Sequence, residues 1–110
     1  MITINLFRNE SRKIIRFTVS GHAGYSEQGT DIVCASVTTA AFTALNGLLD
    51  VAKIDADFTV RDGYLDCQLP EGLSERNRED ADLLLESMVL SFQNLEEQYG
   101  KFIKLQNKRG

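Results

Sequence analysis

The chain has 110 residues, of which 43% are hydrophobic and 25% charged, and its net charge is −4 at pH 7 with an isoelectric point near 4.9. These values predict one globular domain over residues 1–110. The acidic balance disfavours direct contact with nucleic acid. Because no apolar run near the roughly 18 residues of a membrane span and no leader-like start are seen, we expect no membrane partner and a cytoplasmic location.

Metal and redox chemistry are limited by the small number of suitable side chains. The chain has two cysteines, Cys34 and Cys67, and one histidine, His22. Their spacing matches no zinc site, and cysteines in a reducing cytosol seldom form structural disulfides. We therefore expect no metal, no cofactor and no disulfide.

Two alternations of apolar and polar residues open the chain and predict a β-hairpin. They cover residues 2–6 and 15–19, with a polar turn over 9–12. The second alternation stops at Gly21.

From Asp31 onward the apolar residues recur at helical spacing. The stripe consists of Val33, Val37, Ala40, Ala44 and Leu48. Thr30 or Asp31 suits the N-cap, because a short side-chain oxygen accepts from the free amides of the first turn. Gly47 marks a point where the last turn can fray or stop. No charged residue lies between Asp31 and Asp50, so we expect a well-buried helix, packed against a sheet and, in a homodimer, against a second subunit.

The second half repeats the strand–strand–helix order. Residues 56–61 and 65–69 alternate on either side of the Asp62–Gly63 turn and predict a second hairpin, which Pro70 ends. After a polar link over 71–77, a long amphipathic helix follows.

The apolar stripe of this helix runs from Ala81 to Tyr99, and residues 102–105 can add a last short strand. We therefore predict an α+β fold of two layers, a mainly antiparallel four- to five-stranded sheet packed with two helices. The element order is ββαββα with a possible terminal β.

The loop between the first hairpin and the first helix holds the candidate chemistry. His22 directly follows a strand and Cys34 lies in the first helical turn, so both can meet at one edge of the sheet. A helix N-terminus favours an anion such as a thiolate, and an adjacent imidazole can serve as its base. Amides around Cys34 can hold an oxyanion. Asp31 either caps the helix, orients His22, or does both.

Less specific interpretations exist for each of these residues. A cysteine in a helix is often a small core residue, which is how we interpret Cys67 because it shares a face with Leu65 and Leu69. A lone histidine in a loop is often only solvated. A glycine-rich loop can bind phosphate, but this one carries Glu27 and no lysine or arginine.

The string G-H-A-G-Y at residues 21–25, followed by G-T-D-I-V-C-A-S-V at 29–37, resembles the signature of the ribosomal-processing cysteine protease family, often called Prp. The chain length, the preceding strand pair and the later string N-G-L at 46–48 agree with it. The resemblance extends over essentially the whole chain. It implies a cysteine endopeptidase with His22 and Cys34 as its catalytic pair.

The resemblance also implies a substrate. Family members remove a short N-terminal extension, with an apolar and aromatic end, from a large-subunit ribosomal protein. That precursor is strongly basic and suits an acidic enzyme. The loop over residues 23–30 would order over the bound peptide. The residues assigned to the substrate loop are Gly21, Gly24, Tyr25 and Gly29, with Thr38 one turn beyond Cys34. The family often has alanine and then serine where this chain has Ser36 and Thr38, so the hydroxyl is kept.

Two other classes of function stay open at this point. The first is a non-enzymatic module that binds a ribosomal protein through the same loop. The second is a thiol-redox protein, which would need a second cysteine near Cys34, whereas Cys67 lies on a different element.

Overall fold

A five-stranded sheet forms one layer of the protein, and two helices cover one of its faces. The computed structural model describes residues 1–27 and 30–110. The strands are β1 (Ile2–Arg8), β2 (Ile14–Ser20), β3 (Asp57–Arg61), β4 (Tyr64–Gln68) and β5 (Ile103–Arg109). The helices are α1 (Ile32–Asn46) and α2 (Glu75–Tyr99). The order ββαββαβ confirms the predicted α+β fold.

The spatial order of the strands is β3-β4-β2-β1-β5. All neighbouring pairs are antiparallel except β1 and β5, which run parallel in a continuous register from Ile2 opposite Ile103 to Arg8 opposite Arg109. β5 is therefore an edge strand that pairs with β1 along its whole length. Its second half is polar because both of its faces are accessible to solvent. The apolar residues of the sequence therefore predicted only a short strand, over residues 102–105.

The core lies between the sheet and the helices. Its largest fully buried side chains come from every layer, namely Ile4, Leu6, Ile14, Phe17, Leu48, Leu85, Phe92 and Ile103. The alternation within β1 thus reports burial on the helix-covered face, as predicted. In β2 the pattern is shifted at its start, where the register with β1 slips between Phe7 and Arg8, and Ile14 is buried there in place of the predicted Ile15.

Helix α1 buries one face only, which corrects the expectation that it is well buried. Val33, Val37 and Ala41 lie in the core, whereas Thr39 and Thr43 are exposed. Threonine and serine make this outer face polar without charge, so a count of charges alone overstated its burial. The helical stretch Ile32–Val51 is also long and apolar enough to span a membrane by length and composition. This corrects the sequence-based statement that no such run exists, although here its apolar face packs on the sheet.

The α-helix ends at Asn46, immediately before Gly47, where the sequence predicted that the last turn frays or stops. The chain then continues through a π-helical turn, Gly47–Val51, in which the Ala52 amide donates to the Gly47 carbonyl at 2.8 Å. A Cβ at Gly47 would lie 2.7 Å from Leu84 of α2. Glycine therefore also allows the two helices to approach closely here.

Helix α2 begins earlier than predicted. The Ser74 hydroxyl caps it by accepting from the Asn77 amide at 3.1 Å, so the last three residues of the polar segment 71–77 belong to the helix. The charged first turns are supported by the i,i+4 pairs Arg76–Asp80 and Arg78–Asp82. The segment 71–77 is polar and has no apolar stripe, so the sequence predicted a link and not the start of a helix.

Distant segments of the chain meet at the end of the sheet where β2 finishes and β4 begins. Ser20, at the end of β2, is opposite Tyr64, at the start of β4. The next residue, Gly21, donates its amide to the Gly63 carbonyl at 2.8 Å. The segment after β2 and the β3–β4 turn are therefore joined directly.

Candidate active site

Asp31 joins the loop to the start of α1. One carboxylate oxygen accepts from the Val33 and Cys34 amides at 2.9 and 3.0 Å, and the other accepts from the Tyr25 and Ser26 amides at 2.9 and 3.3 Å. Burial raises the pKa of this carboxyl, but the four backbone hydrogen bonds together outweigh it and leave the pKa below its usual value. Asp31 is thus both the N-cap and the anchor of the preceding loop.

The thiol of Cys34 is held by the residue that follows the histidine. Its Sγ accepts a hydrogen bond from the Ala23 amide at 3.2 Å, and the side chain is partly buried. Ala23 itself is buried in the core. The backbone immediately after His22 therefore touches the sulfur, and an N–H donor at this position stabilises negative charge on it.

The imidazole of His22 lies over the β3–β4 turn. Its Nε2 is 3.8 Å from a carboxylate oxygen of Asp62, and a Cβ at Gly63 would be 2.8 Å from the same nitrogen. The side chain is 48% exposed. The carboxylate near His22 thus comes from this turn, while both oxygens of Asp31 accept from backbone amides.

His22 and Cys34 line one cleft of about 750 Å³. The cleft also includes Gly21, Gly24, Asp31 and Thr38 from the predicted set. Its apolar wall consists of Val19, Val37, Phe42, Val60 and Leu65. A thiol, an imidazole and an apolar wall in one groove fit covalent chemistry on an extended peptide.

Tyr25 anchors the loop on the opposite side. Its ring makes edge contacts with Tyr99 and Phe102, with ring centroids 5.8 and 5.3 Å apart. This aromatic cluster and the two hydrogen bonds to Asp31 hold the first half of the loop. Gly29, the remaining predicted loop residue, lies outside the described residues.

Gly21 sits where a side chain has no room. Its φ is +94°, and a Cβ there would collide with the Met1 carbonyl oxygen. Only glycine tolerates both conditions, and this lets the chain turn sharply between β2 and His22.

The chain is similar to known proteins both in sequence and in structure. The sequence pattern that describes cysteine protease Prp matches residues 1–104. The chain belongs to the Prp family of cysteine proteases. The ribosomal processing cysteine protease Prp of Bacillus subtilis is 35% identical over 101 residues, which cover 90% of each chain.

Two solved Prp structures share the fold. The Staphylococcus aureus ribosomal processing protease Prp, in complex with a covalently linked product peptide, superposes with a TM-score of 0.88 at 30% identity, covering 98% of this chain and 100% of that one. The same protease with a substrate peptide gives a TM-score of 0.82 at 29% identity and the same coverage.

A Prp protease requires one reactive thiol, and burial distinguishes the two that this chain has. Cys67 is 1% exposed on the inner face of β4. Burial, with a smaller contribution from the charge of Asp66, raises the pKa of Cys67 to about 12. It therefore stays a protonated core thiol at neutral pH, in agreement with its assignment from the sequence.

One prediction about the Prp site is wrong. The amides of Val33 and Cys34 donate to the Asp31 carboxylate, and the Ala35 amide donates to the Asp31 carbonyl at 3.0 Å. These three amides are committed to the cap and cannot form an oxyanion hole without breaking it. The sequence placed them correctly at the helix start but did not show that the cap uses them.

Asp62 and Gly63 are the site residues that sequence reasoning missed. The Asp-Gly pair was recognised only as a hairpin turn. Its proximity to His22 depends on the pairing of β2 with β4, which brings together residues 40 positions apart in this Prp chain.

Proposed function

We propose that this protease removes the short N-terminal extension of a bacterial large-subunit ribosomal protein, with Cys34 as nucleophile and His22 as base. The observation that carries the proposal is the shared cleft, in which the imidazole and the thiol face one groove and the Ala23 amide donates to Sγ. The processing activity of the relatives supports the substrate class.

The proposed reaction is acyl transfer in two steps. His22 takes the proton of the Cys34 thiol, and the thiolate attacks the scissile carbonyl carbon. As the tetrahedral intermediate collapses, the imidazolium gives that proton to the leaving amine, which becomes the new N-terminus of the ribosomal protein. Water, activated by the neutral imidazole, then hydrolyses the thioester and releases the extension.

The shape of the cleft supports an apolar peptide as substrate. Val19, Val60 and Leu65 form an apolar wall beside the pair. Phe58, on the edge strand β3, is 53% exposed and continues the Val60 side of that strand. An extension with an apolar and aromatic end would bury surface here, and burial contributes about 25 cal/mol per Å² of apolar area. The net charge of −4 favours encounter with a basic precursor.

Two further parts of the proposal concern the protein as a whole. We place it in the cytoplasm, where precursors of ribosomal proteins meet the ribosome. We also propose a homodimer formed through the helical layer. Leu83 and Leu90 are 72% and 62% exposed on one side of α2, and a groove of about 670 Å³ with several small side chains runs between α1 and α2.

The central experiment incubates the purified protein with the precursor ribosomal protein and measures the mass of the product. The wild type and Cys67→Ala, the matched thiol control, should both remove the extension at one peptide bond. Cys34→Ala should fold normally and leave the precursor intact. Trimming by Cys34→Ala at the wild-type rate would overturn the proposal, and an intact precursor with the wild type would overturn the substrate assignment.

A further inference from the structure

We propose that the β3–β4 turn positions His22, with Gly63 as the surface on which the imidazole rests and Asp62 as a positioning residue on its Nε2 side. This inference rests on the proposed catalytic pair. It assigns to a hairpin turn, far from the glycine-rich loop in sequence, a role in aligning the base with Cys34.

The contact with Gly63 leaves no space for a side chain. A Cβ at this position would lie 2.8 Å from Nε2 of His22 and 3.4 Å from both ring carbons bonded to that nitrogen. One edge of the ring therefore rests directly against the Gly63 backbone. A side chain would push the imidazole out of its place, and displacement of a catalytic group by about 1 Å can cost roughly 100-fold in rate.

The turn and the histidine are fixed to the same frame. The Gly21 amide donates to the Gly63 carbonyl at 2.8 Å, one residue before His22, and Ser20 is paired with Tyr64 in the sheet. The Gly63 backbone therefore cannot move away from the ring without breaking the end of the β2–β4 ladder. Such support on regular structure keeps a catalytic group in its productive geometry.

Asp62 supplies negative charge to one side of the ring. Its carboxylate oxygen lies 3.8 Å from Nε2, and the two side chains are 48% and 79% exposed for His22 and Asp62. Because both are solvated, the attraction is modest. It still favours the imidazolium that forms when Cys34 loses its proton. With Nε2 directed toward Asp62, Nδ1 is the nitrogen left to exchange a proton with the thiol.

Other charged or titratable groups near His22 are directed elsewhere. The Arg61 guanidinium lies over the Tyr64 ring, 4.5 Å from its centroid, and the Asp31 carboxylate accepts from backbone amides. The Met1 ammonium donates to the His22 carbonyl oxygen at 2.6 Å, on the backbone side of the residue. Cys34 faces the same cleft. Within the described part of the chain, Asp62 is the carboxylate in ion-pair range of the ring.

The chain offers a matched control for Gly63. Gly72 has almost the same backbone conformation, with φ of +72° against +69°, but a Cβ there would meet no atom within 4 Å. Gly63→Ala and Gly72→Ala therefore carry a similar backbone strain, and only Gly63→Ala meets His22. We expect kcat/KM for the precursor to fall about 100-fold in Gly63→Ala and to stay within twofold of wild type in Gly72→Ala.

Asp62 is tested by its separate effects on kcat and KM. Asp62→Asn should lower kcat for the precursor about twofold and leave KM unchanged, because the imidazolium that forms during the reaction loses its neighbouring carboxylate. Asp57→Asn removes the same charge from an exposed position at the end of β3 opposite the turn, and it should leave both constants unchanged. Should Gly63→Ala fail to fold, this second pair decides.

The inference is overturned if Gly63→Ala retains the activity of Gly72→Ala, or if Asp62→Asn and Asp57→Asn have the same kcat. Its failure differs from failure of the proposed function. If the wild type trims and Cys34→Ala does not, the pair stands and only the role of the turn is in question. If Cys34→Ala trims the precursor, the pair itself is wrong.

Discussion

The Ala23 amide donates to the Sγ of Cys34 at 3.2 Å, so the backbone one residue beyond His22 touches the thiol. This contact joins the end of β2 to the start of α1 at the point where the chemistry is proposed. The buried Ala23 methyl group fixes the amide, and Asp31 fixes the first turn that carries the sulfur. Two independent anchors therefore hold the thiol against the segment that carries the base.

Asp31→Asn should destabilise the protein, because one oxygen acceptor replaces two and the four amides cannot all be satisfied. We expect Tm to fall by about 5 °C at pH 7 and trimming to slow. Thermal unfolding followed by circular dichroism measures the first effect, with Asp57→Asn as the charge-matched control. A Tm equal to that of the control would contradict the anchoring role.

The same carboxyl makes stability depend on pH. Its folded pKa lies below the unfolded value, so its contribution is complete above about pH 4 and is lost as the pH falls through the folded pKa. The Tm difference between wild type and Asp31→Asn should therefore be largest near neutrality and shrink below pH 4. A difference that grows on acidification would contradict this assignment.

The two thiols should differ sharply in reactivity. Cys34 is partly exposed in the cleft, whereas Cys67 is buried with its pKa raised to about 12. Titration of the native protein with a disulfide reagent at pH 7.5 should modify one thiol rapidly, and denaturant should release the second. Rapid modification of Cys34→Ala in the native state would show that Cys67 is accessible.

Tyr25→Ala should weaken catalysis by releasing the loop. Loss of the edge contacts with Tyr99 and Phe102, each worth about 1 kcal/mol, reduces the fraction of time that the loop is in place. We expect kcat/KM to fall about tenfold in Tyr25→Ala. Tyr25→Phe should keep the wild-type kcat/KM, because the contacts with Tyr99 and Phe102 are made by the ring. Steady-state cleavage of a precursor peptide measures the effect. Equal kcat/KM values for Tyr25→Ala and wild type would exclude the anchor.

The proposed homodimer makes a prediction about the helical layer. Leu83→Arg places a charge on the exposed apolar side of α2 and should convert the dimer into a monomer at micromolar concentration. Gln68→Arg adds the same side chain at an exposed position of β4, outside the helical layer, and should leave the dimer intact. Sedimentation velocity distinguishes the species. A monomeric wild type would contradict the dimer and leave the proposed chemistry unaffected.

Local patterns in the sequence predicted most of the fold, because alternation and helical spacing report which face of each element is buried. They found the strands, both helices and a cap at Thr30 or Asp31, of which the structure uses Asp31. They misplaced the start of α2, whose charged first turns pair with one another, and overestimated the burial of α1, whose outer threonines carry no charge. Both errors concern faces that do not contact the core.

The candidate site was predictable where its residues are close in sequence. The loop from His22 to Cys34 carries its own glycines, cap and thiol, and the resemblance to Prp extended that interpretation. Asp62 and Gly63 depend on strand pairing over a long separation, for which a single sequence has no local signal. The Val33 and Cys34 amides both donate to the Asp31 carboxylate, and only the position of that side chain in the structure shows this.

The rate of Cys34 alkylation tests the His22–Cys34 pair most directly. In a Cys67→Ala background, iodoacetamide should modify Cys34 at pH 7 at least tenfold faster than in the same protein carrying His22→Ala, because the imidazole takes up the thiol proton. Equal alkylation rates in the presence and absence of His22 would contradict the pair.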